Sequence, residues 1–233
     1  MPILTDLRIN VELDDLLMML GAKPERARTY EQMRKLSQQS LAELPGLIHP
    51  LAVYDVFDVS RAEPERLVLS NGEAFVSHIV TTHLARASHL AAAVVTVGPG
   101  VEERSAGAFR AGNALEGLVL DSAGSLALNR VGLAAVRHLQ QEAAERGLQA
   151  SFCIGPGSAD AVLEDQGVVA RLLRIADIGV SVTESLLLRP LKSLSLLVGY
   201  GPDVPGADWH VQCDFCHRRP SCPSYLLRQR EPV

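Results

Sequence analysis

The sequence predicts an α+β fold, because helical and strand-like apolar patterns are mixed along the chain without the strict alternation of a doubly wound sheet. Length and composition agree: 233 residues, 47% hydrophobic and 21% charged, suffice for one sizeable buried core. The formal net charge is −5 at pH 7, so no basic field suits a phosphate backbone and nucleic acid is not an expected partner. No basic, apolar leader opens the sequence, and its most apolar stretch, residues 90–97, is far shorter than the roughly 20 residues of a bilayer span. The expectation is a cytoplasmic protein without membrane contact.

The elements follow in order. Leu13, Leu16, Leu17 and Leu20 recur at helical spacing and stop at Gly21, a natural residue to end a helix. A second helix is expected over residues 29–44, broken by Pro45-Gly46, and residues 52–59 then alternate as a strand does. Leu67-Val68-Leu69 before Asn71-Gly72 reads as a strand entering a tight turn. A helical stretch through His83 leads to the apolar run 92–97, a buried strand ended by Gly98-Pro99-Gly100. Between Asn113 and Gly147 one long helix is expected, its first half apolar nearly all round and therefore buried. A short strand over 150–154, the loop Gly155-Pro156-Gly157-Ser158, a helix near 164–176 and strands over 178–182 and 193–200 complete the domain. This divides the chain into a domain over 1–200 and a cysteine-rich tail over 201–233, which is rich in Gly and Pro and needs something other than a core to order it.

That tail carries the sharpest local signal. Of four cysteines, Cys213, Cys216 and Cys222 fall within ten residues, in the run Cys213-Asp214-Phe215-Cys216-His217-Arg218-Arg219-Pro220-Ser221-Cys222-Pro223. A C-x₂-C turn places two thiolates on one ion, and a third cysteine six positions on can close the same site. The fourth ligand is open among Cys153, His217, His210, water and substrate. An iron–sulfur cluster and zinc both satisfy the pattern, the first suggested by the cysteine–proline ending. Reduced thiols without metal are the plain alternative.

Within the long helix, Asp121 and Ser125 lie four apart on one face, with Gly124 allowing a close approach. Either a ligand or tight helix packing explains them. The loop after Cys153 exposes backbone groups of Gly155 and Gly157 to a polar molecule, or is a plain turn; it is neither a dinucleotide fingerprint nor a P-loop. Glu184, facing Arg189 or Lys192, makes either a site ion pair or a solvated one. The seven histidines are scattered, with no serine elbow, so common hydrolase motifs are absent.

Four segments taken in order resemble the activation (reactivation) domain of cobalamin-dependent methionine synthase, in its stand-alone form. Val95-Thr96-Val97-Gly98-Pro99-Gly100-Val101-Glu102-Glu103-Arg104 is similar to the family's "TiGpelEer". Leu118-Val119-Leu120-Asp121-Ser122-Ala123-Gly124-Ser125 is similar to "ildaiGS". The Gly155-Pro156-Gly157 loop with Glu164-Asp165-Gln166 resembles the glycine loop and the helix start after it. Ile178-Gly179-Val180-Ser181-Val182-Thr183-Glu184-Ser185, then Pro190 and Lys192-Ser193-Leu194-Ser195, resembles "iGv.LTES…P..SvSG". The likeness spans about residues 8–200, and the cysteine tail resembles that of stand-alone members.

The resemblance implies a single α+β domain with a twisted, largely antiparallel sheet flanked by helices. It implies a reactivation partner for a corrinoid methyltransferase, or for a methionine synthase lacking its own activation domain. That partner carries the cobalamin, and S-adenosylmethionine is the candidate methyl donor for reductive methylation of cob(II)alamin. The implied cofactor-binding residues are Ser151, Cys153, Gly155, Pro156, Gly157, Asp121 and Glu184; the metal ligands are Cys213, Cys216, Cys222 and Cys153. The family's Arg-x-x-x-Gly-Tyr reads Ser151-Phe152-Cys153-Ile154-Gly155-Pro156 here, keeping only the glycine. The alternative is a non-catalytic, metal-stabilised interaction protein that retains the fold but not the methyl donor.

Overall fold

In the computed structural model, residues 1–158 and 161–206 are described, together with Arg219, Cys222 and Tyr225. Apolar alternation in the chain's middle becomes a curled, half-barrel sheet. Its strands are β1 (Ile3–Leu4), β2 (Leu51–Glu63), β3 (Arg66–Leu69), β4 (Ala74–Phe75), β5 (His89–Thr96), β6 (Gln149–Ala150) and β9 (Ser193–Gly201). The order is β4-β3-β2-β5-β9-β6, with β1 also on β2, and every pairing is antiparallel. A separate hairpin joins β7 (Ser181–Val182) to β8 (Leu188–Arg189). The α+β expectation is met, with a sheet that is antiparallel throughout.

Six helices among the described residues flank it: α1 (Leu13–Met19), α2 (Ala27–Leu47), α3 (His78–His83), α4 (Gly100–Arg110), α5 (Ala114–Glu145) and α6 (Asp165–Leu172). The central strand β5 is buried on both faces because helices cover both. Ala91, Ala93 and Val95 pack with α5, α1 and α2, whereas Leu90, Ala92 and Val94 pack with α3 and α6. Small alanines in mid-strand let α5 lie close, and fifteen of its residues are buried, as its all-round apolarity predicts.

Several boundaries differ from expectation. Pro45 does not stop α2, which runs to Leu47; proline there forfeits one helix bond, the one its N–H would make to Leu41 O, but the helix continues for less than a turn and Ile48 N still donates to Leu44 O. Helix α4 was not expected, since Gly98-Pro99-Gly100 reads as a terminator. It starts there because Gly98 takes φ 78° to turn the chain, and a Cβ on Gly100 would lie 2.5 Å from Leu47 O. The strand expected over 178–182 is confined to β7 at its end, a 3₁₀ turn (Ile175–Ile178) running into its start, and that over 150–154 pairs only at its ends, through β6 and an Ile154–Leu197 bridge. No helix among the described residues is long and apolar enough to cross a membrane.

Candidate functional site

Three of the four motif segments meet at one end of the sheet. Lys192, just before β9, is buried and reaches across to α5, where its Nζ lies 2.7 Å from Asp121 Oδ1 and donates to Ser125 Oγ at 2.8 Å. The i, i+4 spacing of Asp121 and Ser125 is what lets one ammonium touch both. Between them Gly124 admits α4: a Cβ there would lie 2.7 Å from Val101 Cγ1 and 3.5 Å from Lys192 Cε. Asp121 thus pairs with a buried cation, and Gly124 lets α4 pack closely on α5.

From α4, Glu102 completes the junction. Its carboxylate accepts from Leu191 N at 2.7 Å and lies 3.6 Å from Arg189 Nη1. Thr96 Oγ1 accepts from Gly98 N and Ser193 Oγ, so the end of β5, the start of α4 and the start of β9 are tied at one hydroxyl. Neither Lys192 nor Arg189 pairs with Glu184; Asp121 and Glu102 take those roles. Glu184 sits exposed at the tip of the β7–β8 hairpin, whose turn is closed by Thr183: its Oγ1 and O accept from Leu187 N and Leu186 N.

The hairpin spans two helices. On one side Arg189 meets α4; on the other Leu186, which adopts φ 62°, lays its side chain over Gly167 of α6. A positive φ at a branched, non-glycine residue is costly and is held here by that packing. An open groove of about 410 Å³ lies between the exposed face of α4 and the hairpin's base, lined by Pro99, Glu103, Ala106, Arg110, Ser181 and Arg189 among others.

The glycine loop lies apart from this junction, on the α6 side. Ser158 N and Oγ both donate to Gly155 O, at 3.0 and 2.5 Å, and Gly157 takes φ 77°. Pro156 is half-buried and Gly157 exposed. Ser151 is 0% exposed: its Oγ donates to Phe152 O and accepts from Gly199 N, both at 2.8 Å. Its hydroxyl is thus spent in joining the chain to β9. Cys153 is buried in the core beneath α5. Cys213 and Cys216 lie outside the described residues, and Cys222 is half-buried. Among the described residues no cluster of three His, Cys, Asp or Glu could hold a metal ion.

Sequence reasoning missed three structurally committed groups. Glu102 carried a signal, as an acid in the first turn of a helix that was itself overlooked. Asp165 is 1% exposed and accepts from Val76 N (3.0 Å), Ser77 N (3.1 Å) and Ser77 Oγ, holding the start of α3. Tyr54 and Tyr200 flank β5 beneath the far end of α5. Tyr54 Oη lies 2.9 Å from His138 Nε2, and burial, with the nearby Glu142 carboxylate, pushes its pKa up to about 12. The same two causes, burial first, raise Tyr200 further.

No family model and no curated protein matches the chain. Among solved structures it is similar to the crystal structure of the MetH reactivation domain bound to AdoHcy. The TM-score is 0.54 at 14% identity, over 94% of this chain and 80% of that one. At this identity the likeness is one of fold.

Proposed function

We propose that this chain is a reactivation partner of a corrinoid-dependent methyltransferase, docking on the corrinoid protein and presenting a methyl donor of the S-adenosylmethionine type. The observation that carries the reading is the fold likeness to a reactivation domain that binds AdoHcy. The convergence of three family-like segments on Lys192 and Glu102 supports it, since residues far apart in sequence are brought to one place. The cysteine tail, with Cys213, Cys216 and Cys222 as ligands, supplies an iron–sulfur cluster or a zinc clip. Cys153 as fourth ligand would have to leave a core position.

A second reading keeps docking and drops the donor. It is favoured by Ser151, whose burial and two internal hydrogen bonds leave it no reach to a ligand. Anaerobic mixing with a corrinoid methyltransferase in its cob(II)alamin state separates the readings. With S-adenosylmethionine and a reductant, a change to the methylcobalamin absorbance spectrum supports reactivation. A spectral shift without donor dependence supports docking alone, and an inert mixture overturns both.

A further inference from the structure

The groove beside α4 has a feature that packing does not use. Of its charged walls, Arg189 is paired with Glu102, whose carboxylate also accepts from Leu191 N. The side chains of Glu103 and Arg110, both exposed, make no hydrogen bond or ion pair among the described residues. They are seven residues apart on one face of α4, about two turns, with Ala106 between them leaving the floor open. Helical side chains lean toward the N-terminus, and Arg110 leans back so that its Nη2 would lie 3.9 Å from a Cβ on Gly107, one turn nearer Glu103. The helix dipole accounts for an acid in the first turn and a base in the last. It does not require that both face the same groove, opposite Ser181 and Pro190.

An uncommitted cation and anion at the two ends of one groove complement a zwitterion. The volume, about 410 Å³, falls within the range of small-molecule sites. We propose that this groove takes the amino-acid end of an S-adenosyl ligand, with Arg110 pairing its carboxylate in a fork and Glu103 accepting from its ammonium. This rests on the donor reading above and assigns the carboxylate contact that Ser151 cannot make.

Calorimetry on the full chain tests it with two probes: AdoHcy, which carries the amino-acid group, and 5′-methylthioadenosine, which lacks it. Arg110→Ala is expected to weaken AdoHcy about tenfold or more, with partial recovery in Arg110→Lys, because a charge-assisted fork is lost and a point charge returned. Glu103→Gln is expected to weaken AdoHcy less. Methylthioadenosine is expected to bind wild type and Arg110→Ala alike. Unchanged AdoHcy binding in Arg110→Ala overturns the groove assignment while leaving the donor reading standing. Equal loss of both probes also overturns it, since the arginine then acts on the fold. A wild type that binds neither probe overturns groove and donor together.

Discussion

Replacing Asp121 by Ala withdraws the only carboxylate paired, among the described residues, with a lysine whose side chain is 10% exposed. The Lys192 ammonium then keeps Ser125 Oγ at 2.8 Å and little else. Breaking a fully buried pair costs about 3–5 kcal/mol because a charge is left uncompensated. Asp121 is itself 50% exposed, so water can reach the ammonium from that side and the expected loss falls to about 2 kcal/mol. Lys192→Met removes the charge and keeps the volume; a half-exposed Asp121 hydrates, and that variant is expected to lose under about 1 kcal/mol. The double variant is expected to resemble Lys192→Met, giving a coupling of about 2 kcal/mol, the whole cost of Asp121→Ala. Urea unfolding followed by circular dichroism measures all three, with the slope unchanged so that midpoints report stability. In a chain of this size about 2 kcal/mol corresponds to roughly 4–8 °C in Tm. If Lys192→Met proves costlier than Asp121→Ala, the buried-cation argument is refuted.

Gly124→Ala is expected to destabilise by on the order of 1 kcal/mol, the gain in helix propensity being outweighed by a Cβ 2.7 Å from the fully buried Val101; adding Val101→Ala should recover part of it in the same assay, and a stabilised single variant sinks the packing account. Asp165→Ala strands three donors at the start of α3 and should cost about 3–5 kcal/mol, or leave the protein unfolded at 37 °C; thermal unfolding near wild type would contradict this. Tyr54 and Tyr200 are both raised, so the native state holds protons that the unfolded chain releases; stability should be intact below pH 10 and fall between about pH 10 and 12, followed by ultraviolet titration of tyrosinate, and a flat profile there is the contrary result. Cys213→Ala with Cys216→Ala should abolish metal binding on elemental analysis after anaerobic purification, and unchanged metal content removes the tail from consideration.

The long helix and the central strands were legible because their apolar periods are long enough to be unambiguous. Helix α4 was not, since Gly98-Pro99-Gly100 signals an end and a beginning equally; Glu102 and Glu103 ahead of Arg110, with Gly112 after it, were the overlooked evidence. At the site, proximity in sequence misled. Glu184 was matched with Lys192 and Arg189 because they stand near it in the chain, whereas the hairpin turn carries it away and Asp121, 71 positions before Lys192, fills the place. Ser151 looked like a binding position because it occupies an aligned one. Only the register of β6 on β9 shows that its hydroxyl is consumed internally.

Strand β9 has a role that no single contact reveals. Lys192 enters it at the α5 junction, and Leu197, five residues on, grips Ile154 at the root of the glycine loop. The strand thus acts as a ruler, setting the two places about 17 Å apart at roughly 3.4 Å per residue. Because successive side chains alternate in face, one residue inserted between Ser193 and Leu197 would both lengthen that spacing and turn the pleat over, so that the junction and the loop could no longer keep their registers together.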